Sequence, residues 1–186
     1  MWVEIFKRYI AVLLIGFVIK WLDDEVDFKE EAAIDKKKLL NIFDCKLPYC
    51  LLFLALAMML DTYYSFSLFT AAYIIGMFQI PLQRLPFGLK SYQEIIILII
   101  INTLFVPIDI FIHALILIFT IQLLDDIVDF NYDKKYSFKN YAVKFGKGEV
   151  IIFILILLVA AIMLNWINTL IILPVAIFIN YLYSRR

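Results

Sequence analysis

The sequence predicts an all-α protein, a bundle of about seven transmembrane helices forming one domain over residues 1–186. Three observations carry that prediction. Hydrophobic residues make up 65% of the chain and the mean hydropathy is +0.92, whereas a soluble domain is closer to half apolar. Apolar runs recur along nearly the whole length, several of them long enough, or nearly so, to cross a hydrocarbon core of about 30 Å. Charge is clustered in the connections between those runs.

The first predicted span covers 4–22. An acidic run follows it where a signal peptide would carry a small-residue cleavage site, so it reads as a retained helix. Spans 48–61 and 65–81 flank a short turn at Asp61–Tyr64. Spans 92–105 and 108–124 flank a second turn at Asn102–Asp109, and spans 149–164 and 167–184 a third at Asn165–Asn168. Several spans fall short of the ideal of about 20 residues, a deficit met by little tilt, by snorkelling Lys and Tyr, or by local thinning of the bilayer. His113 lies within the fifth span and reads as a hydrogen-bonded core residue, while Asn102, Asp109, Asn165 and Asn168 mark outer turns.

The three short turns contain no Lys or Arg, and nearly all positive charge sits elsewhere. Lys29, Lys36, Lys37, Lys38 and Lys46 follow the first span, Arg84 and Lys90 the third, and Lys134, Lys135, Lys139, Lys144 and Lys147 the fifth; Arg185 and Arg186 end the sequence. The positive-inside rule makes these four regions cytoplasmic and the N-terminus external, with Lys7 and Arg8 as exceptions. The expected protein is integral, multi-pass and in contact with the lipid bilayer. With 17 basic and 17 acidic residues the net charge is zero, which gives no electrostatic support to nucleic-acid binding. Cys45 and Cys50 lack the spacing and companions of a zinc or redox motif and read as ordinary thiols in a reducing environment.

Two acidic strings stand out. The first span runs into D-D-E-V-D-F-K-E-E, from Asp23 to Glu31, and the fifth into D-D-I-V-D-F-N-Y-D, from Asp125 to Asp133. Both follow D-D-x-V-D-F-x-x-[DE], offset by 102 residues from Asp23 to Asp125. If the helices continue past the membrane, positions i, i+4 and i+8 lie within about 80° of one another. Asp23, Asp27 and Glu31 then share one face, as do Asp125, Asp129 and Asp133, with Asp24 and Asp126 near the edges. Four crossings separate the strings, so both return to the cytoplasmic side. Crowded carboxylates raise one another's pKa, and divalent cations relieve the repulsion. Magnesium suits the site because it takes oxygen ligands, usually one or two carboxylates plus substrate phosphates. The constellation predicts a diphosphate held through Mg2+ between two acidic helix ends, its hydrocarbon tail among apolar helices.

At these residues the sequence resembles the UbiA superfamily of intramembrane prenyltransferases. That family carries N-D-x-x-D-x-x-x-D after one helix and D-x-x-x-D after a later one. Asp23-Asp24-x-x-Asp27-x-x-x-Glu31 is similar to the first, with Asp for the leading Asn and Glu for the last Asp; Asp129-x-x-x-Asp133 matches the second. The run from Asp133 to Gly146 resembles the family's D-x-x-x-G-x-x-[ST]-x-x-V-x-x-G tail at Val143 and Gly146, with Ser137 in place of the Gly and Asn140-Tyr141-Ala142 in place of Thr-Leu-Pro. Gln83-Arg84 stands where the family often has Lys-Arg, in the loop between the motifs. The likeness runs from about Val18 to the end of the sequence. Two departures are the absence of Arg-Thr-x-x-Arg-Pro after the first motif and of two of the family's nine helices, so that either a homo-oligomer partner or a smaller cavity completes the acceptor wall.

The resemblance implies an enzyme that ionises an allylic prenyl diphosphate and transfers the prenyl group to an acceptor whose identity stays open. Asp23, Asp24, Asp27 and Glu31 are expected to hold one magnesium and Asp125, Asp126, Asp129 and Asp133 another, with Asp27 and Asp129 central to catalysis. Arg84, Lys135 and Lys139 are expected to contact the diphosphate. The 17 Phe and 11 Tyr offer π faces to a carbocation, although core packing and interfacial belts account for most such rings. A UbiA-type terpene cyclase is the nearest alternative, with the same ionisation but capture by the isoprenoid's own double bonds. A cation channel requires polar residues along a pathway within the spans, and the span interiors are nearly free of charge. A CDP-alcohol phosphotransferase requires D-G-x-x-A-R, which the sequence lacks. A catalytically silent scaffold is the remaining non-enzyme reading.

Overall fold

The computed structural model of the protein describes residues 2–31, 40–78, 88–136 and 140–184, with side chains at all of these except 24–31, 40–46, 77–78, 136 and 184. The described elements are α-helices: α1 (Trp2–Glu31), α2 (Leu40–Leu60), α3 (Thr62–Phe78), α4 (Ser91–Phe105), α5 (Ile108–Val128), α6 (Phe130–Tyr136), α7 (Tyr141–Phe145) and α8 (Lys147–Ser184). Asn165, at φ −159° and ψ 94°, breaks α8 into arms over 147–164 and 166–184. With that break, helix covers nearly all the described residues of each of the seven apolar runs read from sequence. Two helices, α5 and α8, are long and apolar enough to cross a membrane, and Leu47–Leu60 and Ser91–Phe105 are shorter apolar helices. The chain divides into two compact units, Met1–Phe69 with Pro174–Arg186, and Thr70–Leu173.

In the first unit α1 buries Ala11, Val12, Ile15 and Val18, spaced as one stripe of a 3.6-residue helix. Arg8 Nε bonds Asp61 Oδ2 at 2.6 Å, and Trp21 stacks on Phe53 with centroids 5.4 Å apart. Moving up α1 from Arg8 to Trp21 therefore moves back along α2 from Asp61 to Phe53, and the two helices are antiparallel. The end of α8 lies against α1 in the opposite sense. A Cβ on Gly16 would stand 2.5 Å from Ile179 Cδ1, and Trp21 Nε1–H donates to Tyr183 Oη. The end of α8 thus runs parallel to α1.

In the second unit Thr70 Oγ1 donates to Asn102 Oδ1 at 3.1 Å and Tyr73 Oη to Glu94 Oε2 at 2.5 Å, which sets α3 and α4 antiparallel. Val106-Pro107 turns the chain into α5, with Val106 N–H on Asn102 O at 2.9 Å. Ile74, Ile95 and Phe111 pack together across α3, α4 and α5. The α5–α8 core holds Leu123 against Val150 and Ile154, with Phe119 edge-on to Phe153 at 5.9 Å. This pairing makes the first arm of α8 antiparallel to α5. His113 is buried, with Nε2 2.9 Å from Thr169 Oγ1, the hydrogen-bonded core residue expected.

Two corners of the chain are built alike. In the first, Tyr64 N–H donates to Asp61 Oδ1 at 3.2 Å and Ser65 Oγ to Ala57 O at 3.0 Å. In the second, Asn168 N–H donates to Asn165 Oδ1 at 3.1 Å, and the Thr169 hydroxyl lies within hydrogen-bond distance of both Asn165 O, at 2.8 Å, and Ala161 O, at 3.1 Å. The carboxamide or carboxylate caps the outgoing helix, while the hydroxyl bonds a carbonyl of the incoming one; Ala57 O also accepts from Asp61 N–H at 3.0 Å. Eight residues of straight helix span about 12 Å, so each hydroxyl contact with the alanine carbonyl requires a sharp bend. The strings A-M-M-L-D-T-Y-Y-S and A-I-M-L-N-W-I-N-T carry these corners, offset by 104 residues from Ala57 to Ala161. Each corner also receives a basic or imidazole side chain from the preceding long helix, Arg8 on Asp61 and His113 on Thr169.

Candidate functional site

Backbone geometry places the second acidic string on a nearly continuous helical track. Asp129 N–H bonds Asp125 O at 2.9 Å, and Asp133 N–H bonds Asp129 O at 2.9 Å. Each acid therefore stands one turn above the last, although Asp129 itself, at φ −88° and ψ 4°, ends α5 before α6 begins. Asp125 and Asp133 are half-buried and Asp129 is exposed. Asp129 and Asp133 both act electrostatically on Asp126, so three of the four carboxylates share one neighbourhood.

Asp126 differs from its neighbours. It is 7% exposed, its Oδ2 accepts from Tyr141 N–H at 2.8 Å, and the Gln122 side chain also bonds it. The sequence reading put this carboxylate at the edge of a metal-binding face; in the folded chain one of its oxygens is spent anchoring α7.

Asn140, which sequence reasoning left without a role, is the hub of the site. Its Nδ2 donates to Asp126 O and to Asp133 Oδ2, both at 2.7 Å. Its Oδ1 accepts from Val143 N–H at 2.9 Å, which makes it the N-cap of α7. One carboxamide thus ties the end of α5, the start of α7 and an acid of the predicted motif. Tyr141 then stacks on Phe145, with centroids 6.4 Å apart, and meets Phe119 edge-on at 6.2 Å. Gly146 ends α7 at φ +104°, and a Cβ there would clash with the Glu149 carboxylate.

The first string continues α1 as helix to Glu31, so Asp23, Asp27 and Glu31 occupy successive turns. Asp23 is exposed and pairs with Lys20 at 3.7 Å. The side chains of Asp24, Asp27 and Glu31 lie outside the described residues, as do Arg84 and Lys139. Lys135 is exposed on α6. Asp23 belongs to the first unit and the 125–133 string to the second.

Among the described residues no three His, Cys, Asp or Glu side chains are gathered as a metal cage. Magnesium does not need one, since it commonly takes one or two carboxylates and completes its shell with water and substrate oxygens. The donors on the α5–α6 track are all carboxylate oxygens, and Asp133 is oriented by an amide hydrogen bond, as ligating carboxylates are. The residues present fit that ion.

No protein-family model matches the chain, and no match is found among curated proteins or solved structures.

Proposed function

We propose that the protein is a multi-pass membrane enzyme of UbiA-like character, a Mg2+-dependent prenyltransferase acting on an allylic prenyl diphosphate. The observation that carries this reading is the repeated string D-D-x-V-D-F-x-x-[DE], each copy at the C-terminal end of a long helix. The matched corners strengthen it, because a second motif repeats at 104 residues beside the first at 102. Both copies then belong to a duplicated helix–acid–helix–corner arrangement. Seven spans with both acidic ends on the cytoplasmic side is the topology we assign, supported by the parallel course of α1 and the end of α8 within the first unit.

In this reading Asp23, Asp24, Asp27 and Glu31 serve one ion and Asp125, Asp129 and Asp133 the other, with Asp126 holding α7 in place. Magnesium held by these carboxylates would supply Lewis-acid and electrostatic stabilisation to a leaving diphosphate. Asn140 fixes the Asp133 carboxylate, and Arg84, Lys135 and Lys139 carry positive charge towards the diphosphate. The allylic C–O bond breaks with its electron pair going to the diphosphate. The acceptor forms the new bond to carbon and gives up a proton, and apolar helices exclude water from the cation.

The test is magnesium-dependent release of pyrophosphate from a panel of prenyl diphosphates by purified protein. Asp27→Ala and Asp129→Ala are each expected to lower the rate about a hundredfold or more. Release that persists in both variants refutes the site. A hydrocarbon or terpene alcohol formed without acceptor identifies a terpene cyclase instead, and protein that stays soluble without detergent refutes the membrane placement.

A further inference from the structure

The connection between α5 and α8 carries charge that the acidic track does not use. Lys147 Nζ lies 4.2 Å and Lys134 Nζ 5.8 Å from the centroid of the Phe130 ring. Lys144 Nζ lies 5.1 Å from that of Phe145. Among the described residues none of these three ammonium groups has a carboxylate at ion-pair distance. Tyr132 and Phe145, on the same segment, are 52% and 56% exposed. Lysine ammonium groups are well hydrated, but the exposed rings set among them are apolar surface that water does not favour.

We propose that the α6–α7 segment is a docking surface for the anionic phosphate headgroups of a lipid leaflet. α5 and the first arm of α8 run antiparallel and are apolar enough to enter a membrane, so the segment joining them caps one end of that pair. At that depth Tyr and Phe rings occupy the interfacial zone, and lysines are drawn to anionic lipids over about a Debye length. A small free diphosphate would satisfy the lysines but would leave Tyr132 and Phe145 in water. The leaflet satisfies both. This inference rests on the membrane placement proposed above and not on the catalytic reading.

The test uses the full chain reconstituted in vesicles of phosphatidylcholine alone and of roughly two-to-one phosphatidylcholine and phosphatidylglycerol, with amide hydrogen exchange as readout. Exchange over 128–149 is expected to slow about tenfold in the anionic vesicles, while the α5–α8 core stays unchanged. High salt and the triple variant K134Q/K144Q/K147Q should each abolish the difference. Equal exchange in the two compositions, or a difference that survives high salt in the unmodified protein, overturns the proposal. Inorganic pyrophosphate added to neutral vesicles separates the sources: protection of 128–149 by pyrophosphate that is lost in K134Q/K144Q/K147Q also overturns it, whereas protection that persists in that variant belongs to the acidic track. A failure to release pyrophosphate from prenyl diphosphates leaves the lipid result standing, so the two readings fail separately.

Discussion

Replacing Asn140 by alanine removes the one side chain that binds α5, α7 and Asp133 together. Three hydrogen bonds are lost, to Asp126 O, Asp133 Oδ2 and Val143 N–H, at 2.7, 2.7 and 2.9 Å. The two neutral bonds contribute about 1 kcal/mol each, and the bond to a carboxylate about 2. The cost is then about 3–4 kcal/mol, with the Val143 share equivalent to the loss of an N-cap. For a chain of this size that lowers the unfolding midpoint by roughly 6–15 °C. Asn140→Asp is the discriminating companion, because it keeps the acceptor for Val143 while setting a second negative charge against Asp133. It should destabilise at least as much as alanine despite preserving the cap. Thermal unfolding in detergent reads the global effect, and amide exchange over 141–146 reads the local one. A midpoint shift under about 2 °C in both variants, with unchanged exchange, would refute the claim that Asn140 is the hub.

Three further outcomes follow from other contacts. Gly16→Ala places a methyl against Ile179 and should cost about 1–3 kcal/mol; Ile179→Val in the same chain should restore part of it, and an additive double variant would deny that the two residues touch. Thr169→Val leaves buried His113 without its hydroxyl partner and should cost about 1–3 kcal/mol in thermal unfolding, where Thr103→Val, at an exposed hydroxyl bonded within its own helix, should cost less. Asp61→Asn keeps the cap on Tyr64 but loses the charge facing Arg8, whereas Asp61→Ala loses both; alanine should be the worse by about 1 kcal/mol, and equal melting of the two variants would dismiss the capping role.

Most of the helical architecture was legible in the sequence, and the reasons are local. Hydropathy found each long helix because apolar runs and turn residues act within their own segment: the breaks at Asp61, Val106-Pro107 and Asn165 fall at the expected turns. α6 and α7 were missed because helices of 7 and 5 residues are too short to show a period. The hydrogen-bonding roles of Asp126 and Asn140 were not legible for a different reason. Both are defined by bonds that span up to 15 residues, and such pairings leave no mark on spacing. The corner repeat was hidden because Asp and Asn, or Ser and Thr, look equivalent only when the bonds they make are seen.

The two capped corners also bear on biogenesis. Within nine residues, from Ala57 to Ser65 and again from Ala161 to Thr169, side-chain oxygens cap the Tyr64 and Asn168 N–H groups that a bare chain reversal would strand. Hydrocarbon offers no water to such groups, and each one left open costs several kcal/mol. In the membrane placement proposed above, a nascent helix pair closed by such a corner would enter lipid with its turn N–H groups already capped, before any contact with the rest of the polypeptide has formed.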